Sequence, residues 1–203
     1  MFVDLDGTLI ERTELPDPDA PLRFLPGAAV ALAALRDGGF AIVVVTNQSG
    51  LALGQFTRSQ FVGREASLQW RLREEAQVVL AGIMVCPHRP GPVGAPACLC
   101  RMPAPGLLIR AARTHRFDLA ASWMVGASLD DVEAGRRAGC RTALLTGMPS
   151  GSEALSLARL SPRLSPLRTP HRRCAGWHEV AHTVLTARRS PPAPPPAAEL
   201  FAR

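Results

Sequence analysis

The sequence predicts an α/β fold in which a mostly parallel sheet is covered by helices on both faces. Two observations support this prediction. Short apolar runs alternate with helical patterns along the first 147 residues, and strands that alternate with helices form parallel sheets. The run at residues 40–45 is apolar without a break, as a strand buried on both faces requires. With 203 residues, the chain is long enough for one domain with a sizeable core.

Five strands are predicted from the apolar runs, and a helical pattern or a loop separates each from the next. They cover residues 2–5, 40–45, 82–86, 122–125 and 142–145. A proline- and aspartate-rich loop at residues 16–26 follows the first strand. Side chains at the ends of these strands are therefore the first place to look for a site, because ligands of open α/β sheets bind at the carboxyl ends of strands.

Four helices are predicted between the strands, and each has an end signal. They cover residues 27–37, 57–76, 105–115 and 128–138. Gly38 closes the first helix, and Thr57 with Gln60 has the spacing of a capping box at the start of the second. Pro105 is suited to the first turn of the third helix, and Ser128 is the expected N-cap of the fourth.

Composition divides the chain into three parts. Residues 1–148 carry the strand–helix alternation and are expected to form the main folded domain. Residues 149–189 are rich in Ser, Pro and Arg, and we expect an irregular segment as far as residue 173 and one amphipathic helix at residues 177–187. Residues 190–203 contain a proline run that is typical of a disordered or polyproline tail.

The formal net charge of +6 is uneven along the chain. Residues 1–149 carry 15 Arg and 14 acidic residues, whereas residues 150–203 carry 8 Arg and 3 acidic residues. The body of the protein therefore lacks the basic face that nucleic-acid binding requires, and we expect no nucleic-acid partner. The sequence contains no lysine, so no ε-ammonium group is available to any site in it.

The sequence also bears on location. No apolar run reaches the roughly 20 residues that a membrane helix needs, and the first residues show no basic region followed by a long apolar segment, so we expect no secretory signal. We therefore expect a cytoplasmic protein with no membrane partner. In that compartment the five cysteines are expected as metal ligands or free thiols rather than as disulfides.

The first candidate site follows the first strand, where Asp4 and Asp6 precede Gly7. Side chains two residues apart in a strand point to the same side, and a glycine lets the backbone turn tightly beside a ligand. Two carboxylates at such a place suit Mg²⁺, which prefers oxygen ligands. The other interpretation is a turn that carries two solvated acids.

A second polar segment, residues 46–50, follows the second strand and begins with Thr46 and Asn47. A hydroxyl group and backbone N–H groups at a strand end are suited to hold a phosphoryl group. An ordinary polar loop is the other interpretation.

A third group combines two short motifs, Cys86-x-His88 and Cys98-x-Cys100, across a nine-residue loop. Three sulfur atoms and one imidazole suit a closed tetrahedral Zn²⁺ site. The loop is rich in proline and glycine and has few apolar anchors, so a metal ion would hold it together. The other interpretation is two pairs of unrelated cytosolic thiols.

Taken together, these motifs resemble those of a known family. The pattern from Asp4 to Leu9 resembles the nucleophile motif of the haloacid dehalogenase superfamily, whose members are mostly phosphatases. With residues 46–50 and the two cysteine motifs, the chain from about residue 2 to 147 is similar to the D-glycero-D-manno-heptose 1,7-bisphosphate phosphatase family, and the histidinol-phosphatase domain is its nearest cousin. The resemblance implies a Rossmann-like fold with a small zinc-binding loop and no large cap domain.

The resemblance also implies roles for individual residues. Asp4 would be the nucleophile that forms an aspartyl-phosphate, and Asp6 would be the general acid and base. These two residues and Asp131 would bind Mg²⁺. Thr46 and Asn47 would contact the phosphoryl group. The set is completed by Arg101 as a contact of the substrate's phosphate, and by Cys86, His88, Cys98 and Cys100 as ligands of a structural Zn²⁺.

Two positions depart from the family's pattern. Met102 stands where the family carries a lysine, and Ala127 stands where it carries a metal-binding aspartate. Asp130 and Asp131 could bind the metal directly or through water, or they could be first-turn acids favoured by the helix dipole.

The sequence therefore predicts a Mg²⁺-dependent phosphomonoester phosphatase that acts on a sugar bisphosphate. One alternative keeps the chemistry and changes the substrate to histidinol phosphate or another small phosphate ester. Another is a weakened or non-catalytic relative, because Met102 and Ala127 replace charged residues. The expected partner is a small phosphorylated sugar, and the resemblance implies a monomer.

Overall fold

The computed structural model describes residues 1–12, 21–91, 98–147 and 166–189. Within these ranges, six parallel strands form one sheet in the order β3-β2-β1-β4-β5-β6. The strands are β1 (Phe2–Asp4), β2 (Val43–Asn47), β3 (Gly82–Cys86), β4 (Trp123–Gly126), β5 (Arg141–Leu145) and β6 (Arg172–Cys174). The predicted α/β fold with a parallel sheet is confirmed.

The helices lie on both faces of this sheet. They are α1 (Ala28–Asp37), α2 (Gly50–Leu53), α3 (Arg58–Ala76), α4 (Gly106–His115), α5 (Leu129–Arg137) and α6 (Trp177–Arg189). Buried residues of α1, α3 and α6 pack with Val3 and Val44 in one apolar core, whereas α4 and α5 pack with Phe2 and Val45 in a second. Neighbouring residues of a strand point to opposite faces, so β1 and β2 each contribute to both cores.

The predicted helix starts at Thr57 and Ser128 are confirmed by their capping hydrogen bonds. The Gln60 N–H donates to Thr57 Oγ1 at 3.2 Å, and the Thr57 N–H donates to Gln60 Oε1 at 2.9 Å. Ser128 and Asp131 form the same reciprocal arrangement at the start of α5. These bonds satisfy N–H groups that have no partner within the helix.

The region after β5 differs from the prediction. Residues 149–173 were expected to be irregular, but a 3₁₀ helix covers Pro166–Arg168 and β6 begins at Arg172. Strand β6 has three residues, and of these Cys174 is buried while the two arginines are exposed. So short a strand has no apolar alternation, and only its pairing with β5 makes it part of the sheet.

The last helix was predicted at residues 177–187 and is confirmed as α6. It packs against α1 so closely that a side chain on Gly38 would collide with Leu185. Its first residue, Trp177, is buried and donates from Nε1 to the backbone oxygen of Thr8 at 2.8 Å. The end of the chain is therefore joined to the loop that follows β1.

Two further differences concern element boundaries. The second strand covers residues 43–47 rather than 40–45, and the short helix α2 was not predicted. The expected boundary at 148–149, the tail at 190–203 and part of the loop that is predicted to bind metal lie outside the described residues. None of the helices within the described ranges is long and apolar enough to cross a membrane.

Candidate active site and metal cluster

The candidate active site lies at the carboxyl edge of the sheet. Because the strands are parallel, the ends of β1, β2 and β4 meet there and bring Asp4, Thr46 and Gly126 to one side. A side chain on Gly126 would collide with the carboxyl group of Asp131. Glycine at this position therefore lets the first turn of α5 place Asp131 beside the end of β4.

Asp4 is buried at the centre of this edge. Thr8 Oγ1 donates a hydrogen bond to Asp4 Oδ2 at 2.9 Å and fixes the orientation of the carboxyl group. Burial raises the pKa of Asp4 well above its ordinary value, and the charges of Asp131 and Asp6 raise it further. The carboxyl groups of Asp4, Asp6 and Asp131 thus lie close together, and their negative charges favour a bound cation.

Asp6 is held by a residue that the sequence did not single out. Gln48 Nε2 donates to Asp6 Oδ2 at 2.6 Å and to Thr46 Oγ1 at 2.9 Å. Burial raises the pKa of Asp6, while the Gln48 hydrogen bond and the charges of Arg64 and Arg12 act in the opposite direction. The two-residue spacing of Thr46 and Gln48, which places side chains on one side of an extended segment, was the available signal.

Asp131 has two structural partners as well as its place beside Asp4. The Ser128 N–H donates to Asp131 Oδ2 at 2.9 Å, and the Asp131 N–H donates to Ser128 Oγ at 3.2 Å. Burial raises the pKa of Asp131 to about 6, although these hydrogen bonds oppose the shift. The carboxyl group therefore caps α5 and also faces the candidate cation site.

Asp130 pairs with an arginine from the segment after β5. Arg168 forms an ion pair with Asp130, and its Nε donates to Glu133 Oε2 at 2.8 Å. Burial raises the pKa of Asp130, and the charges of Arg168 and Arg101 oppose that rise. No sequence signal singles out Arg168, because the segment that carries it has no periodic pattern.

The donor set at this edge fits a magnesium ion. Asp4, Asp6 and Asp131 offer carboxylate oxygens, which are the hard ligands that Mg²⁺ prefers. Their raised pKa values show that ionising all three carboxyl groups without a cation is unfavourable. The side chain of Ala127 cannot bind a metal ion. Among the described residues, the carboxylate ligands proposed for this site are therefore Asp4, Asp6 and Asp131.

The Cys/His cluster lies beside the active site, at the end of β3. The ligand atoms of Cys86, His88, Cys98 and Cys100 all lie within 4.8 Å of one another. The three sulfur atoms are 3.3–3.6 Å apart, and His88 Nδ1 is 3.2 Å from Cys100 Sγ and 3.6 Å from Cys86 Sγ. A tetrahedron with metal–sulfur bonds of about 2.3 Å has edges of about 3.8 Å, so the four atoms fit the corners of a zinc site.

Asn47 and the segment after the cluster are bonded to each other. Asn47 Nδ2 donates to the Met102 backbone oxygen at 3.0 Å, and the Met102 N–H donates to Asn47 Oδ1 at 3.0 Å. The Arg101 N–H donates to Cys98 Sγ at 3.3 Å, and Arg101 Nη1 donates to the His88 backbone oxygen at 3.3 Å. Both polar atoms of the Asn47 side chain therefore contact backbone.

Met102 has an apolar role at the position where the resembled family carries a lysine. Its side chain is 2% exposed and packs in the core formed with Val45, Cys86 and Leu107. The positive charge near the carboxylates comes instead from guanidinium groups, since Arg12 and Arg64 act on Asp6 and Arg101 acts on Asp130.

The predicted residues thus fall into three groups in space. Asp4, Asp6, Thr46 and Asp131 come together around one candidate cation and phosphate site. The four cysteine and histidine ligands come together in the cluster. Asn47 and Arg101 lie between these two sites.

Comparison with known proteins places the chain among hydrolases. A family model described as HAD-hydrolase-like, where HAD stands for haloacid dehalogenase, matches residues 99–163. The chain is 40% identical over 164 residues to D-glycero-beta-D-manno-heptose-1,7-bisphosphate 7-phosphatase of Salmonella typhi, and the match covers 78% of this chain and 86% of that protein. The protein of the same name from Escherichia coli (strain K12) is also 40% identical over 164 residues, with 78% and 85% covered.

Solved structures give the same result. The structure of D,D-heptose 1,7-bisphosphate phosphatase from B. bronchiseptica, complexed with magnesium and phosphate, is 31% identical with a TM-score of 0.76, and the match covers 92% of this chain and 98% of that one. A putative HAD-like phosphatase from Mesorhizobium loti is also 31% identical, with a TM-score of 0.71 and coverage of 92% and 83%.

Proposed function

Because this chain belongs to the D-glycero-β-D-manno-heptose-1,7-bisphosphate 7-phosphatase family of haloacid dehalogenase-like hydrolases, we propose that it hydrolyses a phosphate ester of a heptose 1,7-bisphosphate with the help of Mg²⁺. The observation that carries the proposal is the meeting of Asp4, Asp6 and Asp131 beside Thr46 at the carboxyl edge of the sheet. The family relationship confirms the resemblance seen in the sequence.

Asp4 is the proposed nucleophile. One of its carboxylate oxygens attacks the phosphorus atom, the bond from phosphorus to the sugar oxygen breaks, and an aspartyl-phosphate forms. The hydrogen bond from Thr8 holds the carboxyl group in one orientation, so little reorganisation is needed at the moment of attack. Water then attacks the same phosphorus atom and regenerates the free carboxylate.

Asp6 is the proposed general acid and base. Its raised pKa favours the protonated form that can deliver a proton to the leaving sugar oxygen. After that step the carboxylate can take a proton from the attacking water. Gln48 supports this role because its amide group fixes the distance between the Asp6 carboxyl group and the Thr46 hydroxyl group.

The negative charge of the phosphoryl group must be offset at this crowded site. When bound by the carboxylates of Asp4 and Asp131, Mg²⁺ would supply the positive charge that allows a dianion to approach, and Asp6 would join these ligands when its carboxyl group is deprotonated. Thr46 contacts the transferring phosphoryl group, and Arg101 contacts the second phosphate of the substrate. Guanidinium pairs well with phosphate, so an arginine suits a site in a chain without lysine.

We propose that the Cys/His cluster binds one Zn²⁺ with a structural role. All four positions are taken by protein ligands, and a closed site of this kind leaves no position for a substrate. The ion would shape the loop that carries Arg101. We also propose that the protein acts as a monomer, because the described ligands of both sites come from one chain.

Substrate profiling tests this function. Purified protein with Mg²⁺ is assayed for phosphate release from D-glycero-β-D-manno-heptose 1,7-bisphosphate, from the corresponding 1-phosphate and from histidinol phosphate. We expect release of one phosphate from the bisphosphate and much slower release from the other two. Faster turnover of histidinol phosphate than of the bisphosphate would contradict the proposed substrate.

A further inference from the structure

Asn47 connects two parts of the chain that are 55 residues apart in sequence. It is the last residue of β2, and its side chain is half-buried. The carboxamide donates to the Met102 backbone oxygen and accepts from the Met102 N–H, both at 3.0 Å. An amide side chain has one acceptor and one donor side, so it matches the backbone N–H and C=O of one residue.

Met102, whose backbone is hydrogen-bonded by Asn47, directly follows a residue that contacts the Cys/His cluster. Arg101, which precedes Met102, donates from its backbone N–H to Cys98 Sγ and from Nη1 to the His88 backbone oxygen, both at 3.3 Å. An N–H group that points at a cysteine sulfur stabilises the thiolate form that binds metal. The Cys/His cluster therefore holds Arg101, and Asn47 holds Met102, so both contacts act on the same two-residue segment.

Strand pairing places Asn47, at the end of β2, beside the proposed phosphate site. Asn47 lies opposite Cys86 in the register of β2 and β3, and the Gln48 N–H donates to the Cys86 backbone oxygen at 2.8 Å. Thr46, the proposed phosphate contact, directly precedes Asn47. A change in the position of the loop that carries the Cys/His cluster would therefore displace the end of β2.

We propose that Asn47 is a positioning residue that locks the Arg101–Met102 segment to the phosphate end of β2 and so couples the Zn²⁺ cluster to substrate binding. This inference rests on the proposed function. Because both polar atoms of the side chain are used by backbone, Asn47 acts through Arg101 and not by touching the transferring phosphoryl group. Coupling between two binding sites is reciprocal, so if bound Zn²⁺ raises the affinity for the substrate, bound substrate raises the affinity for Zn²⁺ by the same factor.

The proposal predicts a specific pattern for Asn47→Ala. The affinity of the metal-free protein for Zn²⁺ falls by about tenfold or more, as is typical when a group that supports metal ligands is lost. The KM for the heptose bisphosphate rises because Arg101 is no longer held in place. The kcat changes little, since Asp4, Asp6 and Thr46 keep their contacts.

A second variant, Asn47→Asp, keeps the volume and the acceptor for the Met102 N–H. It places a carboxylate oxygen against the Met102 carbonyl oxygen, so one hydrogen bond is replaced by repulsion. We expect the same direction of change in Zn²⁺ affinity and KM. Thr57→Ala serves as a matched control, because it removes a polar contact at the start of α3 without touching either site.

The experiment combines two measurements on wild type and the three variants. Zn²⁺ affinity is measured by competition with a chelator, starting from metal-free protein whose folding is checked by circular dichroism. Steady-state kinetics with heptose bisphosphate and Mg²⁺ then give KM and kcat separately.

The two measurements separate this inference from the proposed function. Unchanged Zn²⁺ affinity in both Asn47 variants would overturn the coupling, and so would a loss confined to kcat, which would mean that Asn47 touches the phosphoryl group. A wild type that releases no phosphate would refute the proposed function, whereas the Zn²⁺ measurement would still decide whether Asn47 supports the cluster.

Discussion

At the scale of single residues, the site is defined by carboxyl groups that the fold forces together. Asp4 and Asp131 are both buried, and the charge of Asp131 raises the cost of ionising Asp4. Asp6 is close enough to add to this effect on Asp4. Such a group of acids is stable in the ionised form only with a cation, which is why magnesium binding and proton binding should compete here.

The pH dependence of Mg²⁺ binding follows from the pKa of Asp131, which is raised to about 6 from the ordinary value of 3.8. Between these values the metal-free folded protein holds more protons than the unfolded chain, so Asp131 makes the free energy of unfolding fall as the pH rises. Mg²⁺ should reverse this loss, and it should raise the melting temperature more at about pH 7.5 than at about pH 5.

Asp131→Asn is the matched variant for this prediction. The amide oxygen can still accept from the Ser128 N–H, so the cap of α5 is kept while the charge is removed. The variant should show a much smaller Mg²⁺ effect at either pH. An equal shift of the melting temperature at both pH values in the wild type would contradict the assignment of Asp131 to the cation site.

At the scale of elements, the parts of the fold that were predicted are those with local signals. The capping residues Thr57 and Ser128 predicted helix starts because their hydrogen bonds join residues three apart. Strand β6 and Arg168 were missed because nothing local specifies them. Their positions depend on contacts with β5 and with α5, which no pattern in residues 149–173 reveals.

The contact between α6 and the loop after β1 leads to a prediction about Trp177. Replacing it with Phe leaves the buried Thr8 backbone oxygen without its donor and should lower the free energy of unfolding by about 1–3 kcal/mol. The kcat should fall too, because Thr8 orients Asp4 through its hydroxyl group. Chemical denaturation and phosphate release measure these two effects.

Trp70→Phe is the control for that experiment, since Trp70 is 63% exposed on α3. An exposed substitution of this kind should change the free energy of unfolding by less than about 0.5 kcal/mol. If Trp177→Phe were as neutral as the control, the bond from α6 to Thr8 would have no part in stabilising the fold.

The Cys/His cluster gives a second prediction at this scale. Metal analysis of the purified protein should find about one zinc ion per chain, and the double variant Cys98→Ser and Cys100→Ser should lose it. Cys140→Ala should retain the metal, because Cys140 is buried and is not one of the four residues whose ligand atoms come together. A folded wild type without bound zinc would rule out this assignment.

At the scale of the whole molecule, the alternation of strands and helices was enough to predict a parallel sheet with helices on both faces. The motifs were enough to predict which residues approach the carboxyl edge, because that edge gathers every strand end. Three long-range contacts could not be predicted from the sequence: Gln48 with Asp6, Asn47 with Met102, and Trp177 with Thr8. Each depends on the side-chain direction of two residues far apart in the chain, and no spacing rule fixes both.

The family relationship and the geometry support one account of the molecule. Three carboxyl groups lie together at the carboxyl edge of the sheet, where a bound cation would offset their charge, and under the proposed function a metal ion in the neighbouring Cys/His cluster would hold the loop that carries Arg101. Met102 and Ala127 replace charged residues of the resembled family, so this account gives the counter-charge to Mg²⁺ and to arginine side chains.

The central claim is that Asp4 attacks phosphorus, and the most direct test is phosphate release from D-glycero-β-D-manno-heptose 1,7-bisphosphate in saturating Mg²⁺ by wild type and by Asp4→Asn. The substitution keeps the shape of the side chain and removes its nucleophilic carboxylate. We predict that the wild type releases one phosphate per substrate molecule and that Asp4→Asn releases none above background. Phosphate release by folded Asp4→Asn at the wild-type rate would contradict the account.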